Sequence, residues 1–352
     1  MNMTHYKLML LMILNLAVNY CFSANHNFIS NEVLDSLLIN DGPYIFIDSD
    51  TVGSSLSLRE GKVIKETIKL NRTSFPVELS EFQGVEKIAA LSDIHGQLEV
   101  LQEILMANLV IDQNGQWSFG KGHFVITGDI FDRGPKVTET LWFIYNLEKQ
   151  AEKVGGKVHF LLGNHEYMVL HNDLRYIHEK YEYISRVLGM GYPELFGKNT
   201  LLGKWLRTKS TIIRINDILF VHGGLSNDFL KMKLTLDEVN NRYRESIELS
   251  REEIKSSATY EGLYSSSSPI WYRGYFGRKD KMSEVDLKTI LETYDCNRIV
   301  VGHTSQRRIK SDYQGKLFVV DSSIKNGKTG EILLIENKRF FRCNITGKRK
   351  EF

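Results

Sequence analysis

The sequence predicts an α/β protein in which a layered β-sheet carries helices on its faces. Short apolar runs rich in Val and Ile predict buried strands at residues 87–92, 123–128, 158–163, 218–221 and 298–302. Residues 97–109 and 137–154 separate the first three runs and carry apolar side chains at helical spacing. Strands that alternate with amphipathic helices are typical of a sheet covered by helices.

A polar group able to bind a metal ion or a phosphate follows each of these runs. In chain order these residues are Asp93 and His95, Asp129, Asn164 and His165, His222, and His303. Ligands of such sheets collect beyond the carboxyl ends of the strands, so we expect these side chains to meet at one point. Carboxylate, amide and imidazole ligands without a thiolate suit Mn, Fe or Zn, whereas Mg or Ca would not favour so many imidazoles.

Length and charge narrow the class of protein. The chain has 352 residues, of which 42% are hydrophobic, so it is long enough for one large core or two modest ones. Its 45 basic and 43 acidic residues give a formal charge of +2, which argues against nucleic acid as the main partner. Local basic pairs such as Arg307-Arg308 predict a solvated face.

Residues 1–24 have the pattern of a cleaved secretory signal. Lys7 precedes an apolar run over residues 8–18, and the small residues Ser23 and Ala24 follow. We therefore expect a secreted or periplasmic protein without a membrane span after cleavage; the alternative is an uncleaved anchor. Cleavage would leave two cysteines, Cys296 and Cys343, which either pair or pack as separate thiols.

The rest of the chain divides into two predicted units. Residues 25–85 form a small strand-rich layer, and residues 86–345 form the main α/β domain, which carries the polar groups at the strand ends. Two segments interrupt the alternation of strands and helices. Residues 166–209 are Tyr-rich and helical in pattern, which predicts a helical cap beside the site. Residues 231–256 are highly charged and form either part of that cap or a solvated surface helix.

The strongest single motif runs from Gly128 to Gly134. It combines a glycine that permits a close approach, Asp129 able to bridge two cations, a second acid at Asp132, and Arg133, whose planar guanidinium suits phosphate oxygens. Asp-x-His alone is a weak signal, and a lone buried histidine is usually a hydrogen-bonded core residue. Five motifs in this order leave little room for coincidence.

A second motif in the sequence suggests phosphate chemistry based on a cysteine thiol instead of a metal ion. Cys343 and Arg349 have the Cys-x5-Arg spacing of thiol-dependent phosphatases. That chemistry requires the loop to lead into a helix whose amino terminus holds the phosphate. No such helix is predicted here, so we attribute the match to chance.

The ordered motifs resemble those of the calcineurin-like metallophosphoesterases, within the phosphoprotein phosphatase superfamily. Asp-x-His, Gly-Asp-x-x-Asp-Arg-Gly and Gly-Asn-His-Glu are intact, and the resemblance covers residues 85–325. Asp41-Gly42-Pro43-Tyr44 and Trp271-Tyr272-Arg273-Gly274 are most similar to elements of the bacterial Shewanella-like protein phosphatases. The chain departs from the eukaryotic Ser/Thr enzymes at Leu161-Leu162 and Asp321-Ser322-Ser323-Ile324. The fold implied is an α/β/β/α sandwich with mixed sheets.

The resemblance also implies a role for each site residue. Two divalent metal ions would be held by Asp93, His95 and Asp129, and by Asp129, Asn164, His222 and His303. A hydroxide bridging the ions would attack the phosphorus directly. Arg133 and Arg273, with Asn164, would bind the phosphate oxygens. His165, oriented by Asp132, would protonate the leaving group.

For the substrate, the resemblance implies a phosphorylated protein or peptide, with phosphotyrosine as the expected residue. A dinucleoside polyphosphate hydrolase is the main alternative, although such enzymes usually have Asp where this chain has Glu166. A general phosphomonoesterase uses the same scaffold. A phosphate-binding pseudoenzyme is disfavoured because the whole catalytic constellation is present.

Overall fold

The computed structural model of the chain describes residues 39–277 and 281–352. Its strands are β1 (Asp41–Ile47), β2 (Val52–Arg59), β3 (Lys62–Lys69), β4 (Glu81–Phe82), β5 (Lys87–Leu91), β6 (His123–Ile126), β7 (Lys157–Phe160), β8 (Ile212–Ile215), β9 (Ile218–Val221), β10 (Arg298–Val301), β11 (Lys310–Asp312), β12 (Leu317–Val319), β13 (Glu331–Glu336), β14 (Arg339–Asn344) and β15 (Arg349–Glu351). Its α-helices are α1 (Leu98–Ala107), α2 (Val137–Lys153), α3 (Asn164–Leu170), α4 (Glu179–Leu188), α5 (Leu201–Leu206), α6 (Asn227–Leu230), α7 (Leu236–Ser246), α8 (Arg251–Ser256), α9 (Glu261–Tyr264) and α10 (Glu284–Thr293). Short 3-10 helices occupy Tyr192–Phe196, Tyr313–Gly315 and Ile324–Asn326.

Two mixed six-stranded sheets form the centre of the molecule. One has the order β15-β14-β13-β5-β6-β7, and the other has the order β11-β12-β10-β9-β8-β4. The five strands predicted from the apolar runs are β5, β6 and β7 in the first sheet and β9 and β10 in the second. Neighbours among them pair in parallel, so their carboxyl ends share an edge. The predicted strands and the mixed sandwich are confirmed.

Alternation along the strands divides the core into two parts. Side chains such as Val125 and Leu161 from one sheet pack against Phe220, Val300 and Phe318 from the other. The outward-facing side chains of the strands join a larger cluster with the helices. Helix α2 contributes Leu141, Ile144, Leu147 and Ala151, which recur at the spacing of one helical face. This arrangement produces the predicted layers of helix, sheet, sheet and helix.

A separate three-stranded antiparallel sheet, β1-β2-β3, lies near the amino end of the described chain. Strands β1, β2 and β3 all lie within residues 25–85, for which the sequence predicts a strand-rich layer. The indole of Trp142 on α2 donates a hydrogen bond to the carbonyl of Pro43, at 2.9 Å. The backbone N–H of Ile47 donates to the carbonyl of Asn199, at 2.8 Å. The sheet is thus attached to both α2 and the loop before α5.

The two interrupting segments fold beside the sandwich. Residues 166–209 include α4, α5 and most of α3, so their predicted helical character is confirmed. The charged segment contains α7 and α8. Helix α7 buries Val239 and Tyr243 and packs against β8, so it is more than a solvated surface helix.

The cysteine questions are settled by packing. Cys296 and Cys343 are buried and unpaired. Cys343 lies in β14 directly opposite Arg349 in β15, so the Cys-x5-Arg match is an antiparallel hairpin rather than a loop that leads into a helix. Burial raises the pKa of the Cys343 thiol, which disfavours the thiolate. A thiol mechanism is therefore excluded at this position.

Within the described residues, no helix is both long and apolar enough to cross a membrane. The predicted signal segment, residues 1–24, lies outside the described part of the chain.

Candidate metal centre

The loops that follow β5, β6, β9 and β10, together with the amino end of α3 after β7, bring the predicted ligands to one edge of the sandwich. The backbone N–H of His303, from one sheet, donates to Oδ2 of Asp93, from the other, at 2.9 Å. The backbone N–H of His165 donates to Oδ1 of Asp129, at 3.1 Å. All seven predicted groups at the strand ends are buried: Asp93, His95, Asp129, Asn164, His165, His222 and His303. The structure therefore brings together the residues that the sequence placed at a common point.

Asp129 lies at the centre of this group. Its Oδ2 is 3.2 Å from Nε2 of His222, 3.8 Å from Nε2 of His95 and 3.9 Å from Nε2 of His165. Burial by itself would raise the pKa of Asp129, but the three histidines hold that pKa well below its usual range. One carboxylate oxygen thus lies within 4 Å of three imidazole nitrogens.

Two of these imidazoles are fixed by a backbone carbonyl. Nδ1 of His95 donates to the carbonyl of Phe131, at 2.6 Å, and Nδ1 of His222 donates to the carbonyl of Thr127, at 2.7 Å. Each hydrogen bond sets the ring orientation and leaves Nε2 with a lone pair directed into the centre. This is how metal-ligating histidines are usually held.

The polar atoms around His222 favour a bound cation. With Nδ1 donating to Thr127, the neutral ring presents a lone pair at Nε2, which lies 2.9 Å from Oδ1 of Asn164 and 3.2 Å from Oδ2 of Asp129. Three acceptors facing one another require a proton or a metal ion between them. Burial lowers the pKa of His222, yet Asp129 outweighs it and raises that pKa to about 9, so a proton takes this place when no metal is bound.

His303 adds an unpartnered donor atom to the same site. Its Nε2 is buried and has no hydrogen-bond partner among the described residues. Burial, together with the neighbouring His222, lowers the pKa of His303 to about 2, which keeps its ring neutral and able to coordinate. The chemistry and burial of these donors fit divalent metal ions.

Two groups of ligand atoms are close enough to hold an ion each. One comprises His95, Asp129 and His165, and the other comprises Asp129, His222 and His303. Asp129 belongs to both, as expected of a bridging ligand. The first group includes His165, which the sequence analysis assigned to proton transfer. Asp93, assigned there as a ligand, has its Oδ1 3.9 Å from Nε2 of His95 and so borders the same group.

His165 is oriented by Asp132. Its Nδ1 lies 2.5 Å from Oδ2 of Asp132, so only Nε2 is free to act toward the centre. The Tyr176 ring from the cap packs beside His165 with ring centroids 5.4 Å apart. Burial raises the pKa of Asp132, although its bond to His165 opposes that shift. The pair has the arrangement of an imidazole held by a carboxylate for proton transfer.

Two exposed arginines lie at the mouth of the site. The guanidinium of Arg133 stacks over Tyr176, 5.0 Å from the ring centroid, and that of Arg273 lies 6.0 Å from the Trp271 ring. Partial burial lowers the pKa of Arg273, and the carboxylates Asp93 and Asp129 act in the opposite direction. Among the described residues neither guanidinium makes an ion pair or a hydrogen bond, so both are free to bind an anion.

Glu166 has a structural role that the sequence analysis missed. Its fully buried carboxylate accepts hydrogen bonds from the backbone N–H groups of Asp129, Ile130, Phe131 and Gly163, at 2.7 to 3.1 Å. Burial and the charge of Asp129 raise the pKa of Glu166 to about 7. Glu166 thus connects two segments of the site. One is the loop that contains Asp129, and the other is the segment after β7 that contains Asn164. The Gly-Asn-His-Glu motif contained this residue, but spacing alone did not show what it binds.

The backbone is strained where the ligands are presented. Non-glycine residues with positive φ include Asp93, His95, Asp129, Asp132, Arg133 and His303, with φ between 48° and 70°. Each such residue costs roughly 1 kcal/mol or more, which the surrounding packing must offset. Gly128 is required for two reasons: its φ is 98°, and a Cβ there would lie 2.7 Å from Nδ1 of His222.

A pocket of about 230 Å³ lies next to the metal centre and shares Asn164 with it. Its walls are mainly aromatic and apolar: Tyr167, Met168, Ile254, Tyr264 and Trp271. His171, Asp173, Arg251 and Lys255 complete the lining. An apolar or aromatic group can therefore be bound beside the ligand cluster.

Comparison with known proteins agrees with this geometry. Residues 86–307 match the calcineurin-like phosphoesterase family. An uncharacterized protein of Schizosaccharomyces pombe is 32% identical over 255 residues, which cover 69% of this chain and 75% of that protein. Shewanella-like protein phosphatase 1 of Plasmodium berghei is 30% identical over 247 residues, which cover 68% and 67% of the two chains. The crystal structure of the cold-active protein-tyrosine phosphatase of a psychrophilic Shewanella species superimposes with a TM-score of 0.85 at 41% identity, covering 89% of this chain and 99% of that one.

Proposed function

The chain belongs to the calcineurin-like phosphoesterase family, and we propose that it is an exported, metal-dependent phosphoprotein phosphatase that prefers phosphotyrosine. The sharing of Asp129 between two groups of potential metal ligands carries this proposal. Family membership makes the chain a hydrolase of the metallophosphoesterase type. The metals, the roles of the residues, the substrate and the export are the parts proposed here.

Two divalent ions, Mn, Fe or Zn, would be held by the buried ligands. Asp93, His95 and Asp129 would hold the first ion, and Asp129, Asn164, His222 and His303 would hold the second. When bound, such ions supply a hydroxide nucleophile near neutral pH for direct attack on phosphorus. The residues around them act on the substrate.

Arg133 and Arg273 bind the phosphate group. Their guanidinium groups lie free at the mouth of the site, and a planar guanidinium can donate two parallel hydrogen bonds to phosphate oxygens. The negative charge of the phosphoryl group spreads over those oxygens in the transition state, so two arginines stabilise it there. Each is exposed enough to meet a phosphate on a protein surface.

His165 donates a proton to the leaving oxygen. Because Asp132 holds Nδ1, the proton available for transfer is the one on Nε2 of the protonated ring. Asp132 stabilises that imidazolium and orients it. A protonated leaving group departs as a neutral hydroxyl group, which is most important when the leaving group is a poor one.

The pocket beside Asn164 supports a substrate with aromatic or apolar groups near the phosphate. Trp271 and Tyr264 offer rings for packing, and Arg251 lies at the same pocket. The similar Shewanella protein is named a protein-tyrosine phosphatase, and the Plasmodium berghei relative is named a protein phosphatase. Together these observations favour a phosphotyrosine residue in a protein or peptide.

The decisive experiment is steady-state hydrolysis by the purified protein after chelation and restoration of Mn or Zn. Matched phosphotyrosine and phosphoserine peptides would be compared with diadenosine tetraphosphate. We expect hydrolysis of the phosphotyrosine peptide to be fastest and to be abolished by chelator. Cleavage of the nucleotide alone would contradict the proposed substrate. Export would be tested by sequencing the amino terminus of the protein recovered outside the cytoplasm, where cleavage near residues 23–24 is expected.

A further inference from the structure

We propose that two buried residues of the N-terminal sheet position the phosphate-binding Arg133. These residues are Asp41 and Tyr44, and they act through Lys180 and Tyr181 of the cap. We call these four residues the N-terminal clamp. The inference rests on the proposed function, because it assigns the clamp to the arginine that binds phosphate there. No member of the clamp lies in the metal centre.

The first link joins the sheet to helix α2. Asp41 and Tyr44 are each 1% exposed although they belong to a peripheral strand. The Tyr44 hydroxyl donates to Oδ1 of Asp41 at 2.6 Å, and its oxygen lies 3.2 Å from Oγ1 of Thr138. Since the phenolic proton goes to Asp41, Thr138 is the donor in the second bond. Tyr44 of β1 thus contacts the first turn of α2, the helix that follows the loop containing Arg133.

The second link is an ion pair between the buried Asp41 and the partly buried Lys180. Nζ of Lys180 lies 2.5 Å from Oδ2 of Asp41, and it donates to Oε1 of Glu139 at 2.9 Å and to the carbonyl of Pro135 at 2.7 Å. The contacts with Glu139 and Pro135 are hydrogen bonds, whereas the contact with Asp41 is an ion pair without hydrogen-bond geometry. Asp41 therefore fixes a lysine that holds the backbone two residues after Arg133.

The third link replaces a missing helix cap. The side chain of Lys136, which precedes α2, makes no capping hydrogen bond. Instead the Tyr181 hydroxyl accepts from the backbone N–H groups of Val137 and Thr138, at 2.6 and 3.2 Å, and donates to the carbonyl of Pro135 at 3.1 Å. These N–H groups have no partner within the helix itself. Tyr181 thus ties the start of α2 to the cap.

The cap in turn holds Arg133 directly. The backbone N–H of Arg133 donates to the carbonyl of Tyr176 at 2.8 Å, and the guanidinium stacks on the Tyr176 ring. Residues 133–138 are therefore attached to the cap at Tyr176, Lys180 and Tyr181, and the cap is attached to the sheet through Asp41. A parallel route is made of rings: Tyr44 packs on Phe196 at 6.0 Å, and Phe196 packs on Phe131 at 4.9 Å. Because Arg133 has a strained φ of 66°, its position depends on these supports.

The test compares Tyr44→Phe and Asp41→Asn with the wild-type protein. The assays are hydrolysis of p-nitrophenyl phosphate and competitive inhibition by inorganic phosphate, with metal content measured in parallel. We expect KM and the phosphate Ki to rise roughly five-fold, as befits the loss of about one hydrogen bond from the support of a binding group. The metal content should stay unchanged, and kcat should change less than KM. Tyr183→Phe is the matched control, because the Tyr183 hydroxyl makes no hydrogen bond to the described residues.

A double-mutant cycle separates positioning from simple stabilisation. If Tyr44 acts through Arg133, Tyr44→Phe should leave the phosphate Ki of an Arg133→Ala protein unchanged. Unchanged KM and Ki in both single variants, or an undiminished effect in the Arg133→Ala background, would overturn the inference. If Tyr44→Phe fails to fold, Asp41→Asn and its cycle with Arg133→Ala decide the matter. Wild-type protein that shows neither turnover nor phosphate binding would instead refute the proposed function.

Discussion

Buried histidines occur in two parts of the sandwich, and they are held in different ways. His123 begins β6 and His159 lies within β7; Nε2 of His159 lies 2.9 Å from Nδ1 of His123, and both rings pack against Phe82. At the carboxyl ends, His95 and His222 are each fixed by a backbone carbonyl and face the carboxylate of Asp129. The first pair is a core contact, and the second belongs to a cluster of potential metal ligands.

The difference shows what converts a buried histidine into a potential ligand. Both groups are buried, so burial does not distinguish them. Burial and the charge of Lys157 lower the pKa of His123 to about 4, and burial also lowers the pKa of His159. No carboxylate contacts that pair among the described residues. A tethered ring nitrogen together with a shared carboxylate is the distinguishing feature, and the following predictions test it.

The largest effect is expected from Asp129→Asn. Loss of the shared carboxylate should lower the metal content and reduce kcat by roughly a thousand-fold or more, because several kcal/mol of transition-state stabilisation depend on the ions. Metal analysis and phosphatase assays measure both quantities. His159→Gln is the matched control from the other histidine group and should keep its metals and its activity at neutral pH. Wild-type turnover in Asp129→Asn would contradict the assignment.

His165→Asn distinguishes a proton donor from a metal ligand. As a proton donor, His165 should lower kcat by roughly a hundred-fold when it is removed, with the metal content retained. The loss should be larger for phenyl phosphate than for p-nitrophenyl phosphate, whose leaving group needs less protonation. A variant that loses one ion, with an equal loss of rate for both substrates, would place His165 among the ligands.

Glu166→Gln should weaken the centre without touching a ligand. Four backbone N–H groups lose their charged acceptor, and the amide cannot accept from all of them equally well. We expect metal affinity to fall roughly ten-fold, as for other residues that orient ligands. Metal titration of the chelated protein measures this change. The matched control is Glu99→Gln, an exposed acid on α1. Equal affinities in the two variants would mean that Glu166 supports the fold only.

The smallest effect concerns acid stability of the core histidine pair. The pKa of His123 is lowered to about 4 in the folded protein, while an unfolded histidine titrates near 6.5. The folded state therefore favours the neutral ring. The contribution of His123 to the free energy of unfolding is complete above pH 6.5 and is lost as the pH falls toward 4. In metal-free protein, urea unfolding should show that His123→Gln loses less stability than wild type between pH 7.5 and 4.5, by roughly 1–3 kcal/mol. Parallel pH profiles for the two proteins would refute this account.

The elements with strong periodicity could be predicted from the sequence. The runs that became β5, β6, β7, β9 and β10 were recognisable because parallel strands buried on both faces are apolar throughout. Helices α1 and α2 were recognisable from their apolar stripes. By contrast, whether Cys296 and Cys343 pair required the structure, since two cysteines in a sequence give no distance between them.

Within the candidate site, the sequence determined which donors are present, because the chemistry of Asp, Asn and His is a property of the residues and their order placed each one at a strand end. Only the tertiary structure decided how they are used. It set Glu166 against four backbone N–H groups, brought His165 into one ligand group with Asp129, and separated the histidines of the centre from His123 and His159. It also placed Asp41 and Tyr44 behind the arginine loop. These outcomes depend on contacts between residues far apart in the chain, whereas periodicity and motif spacing carry only local information.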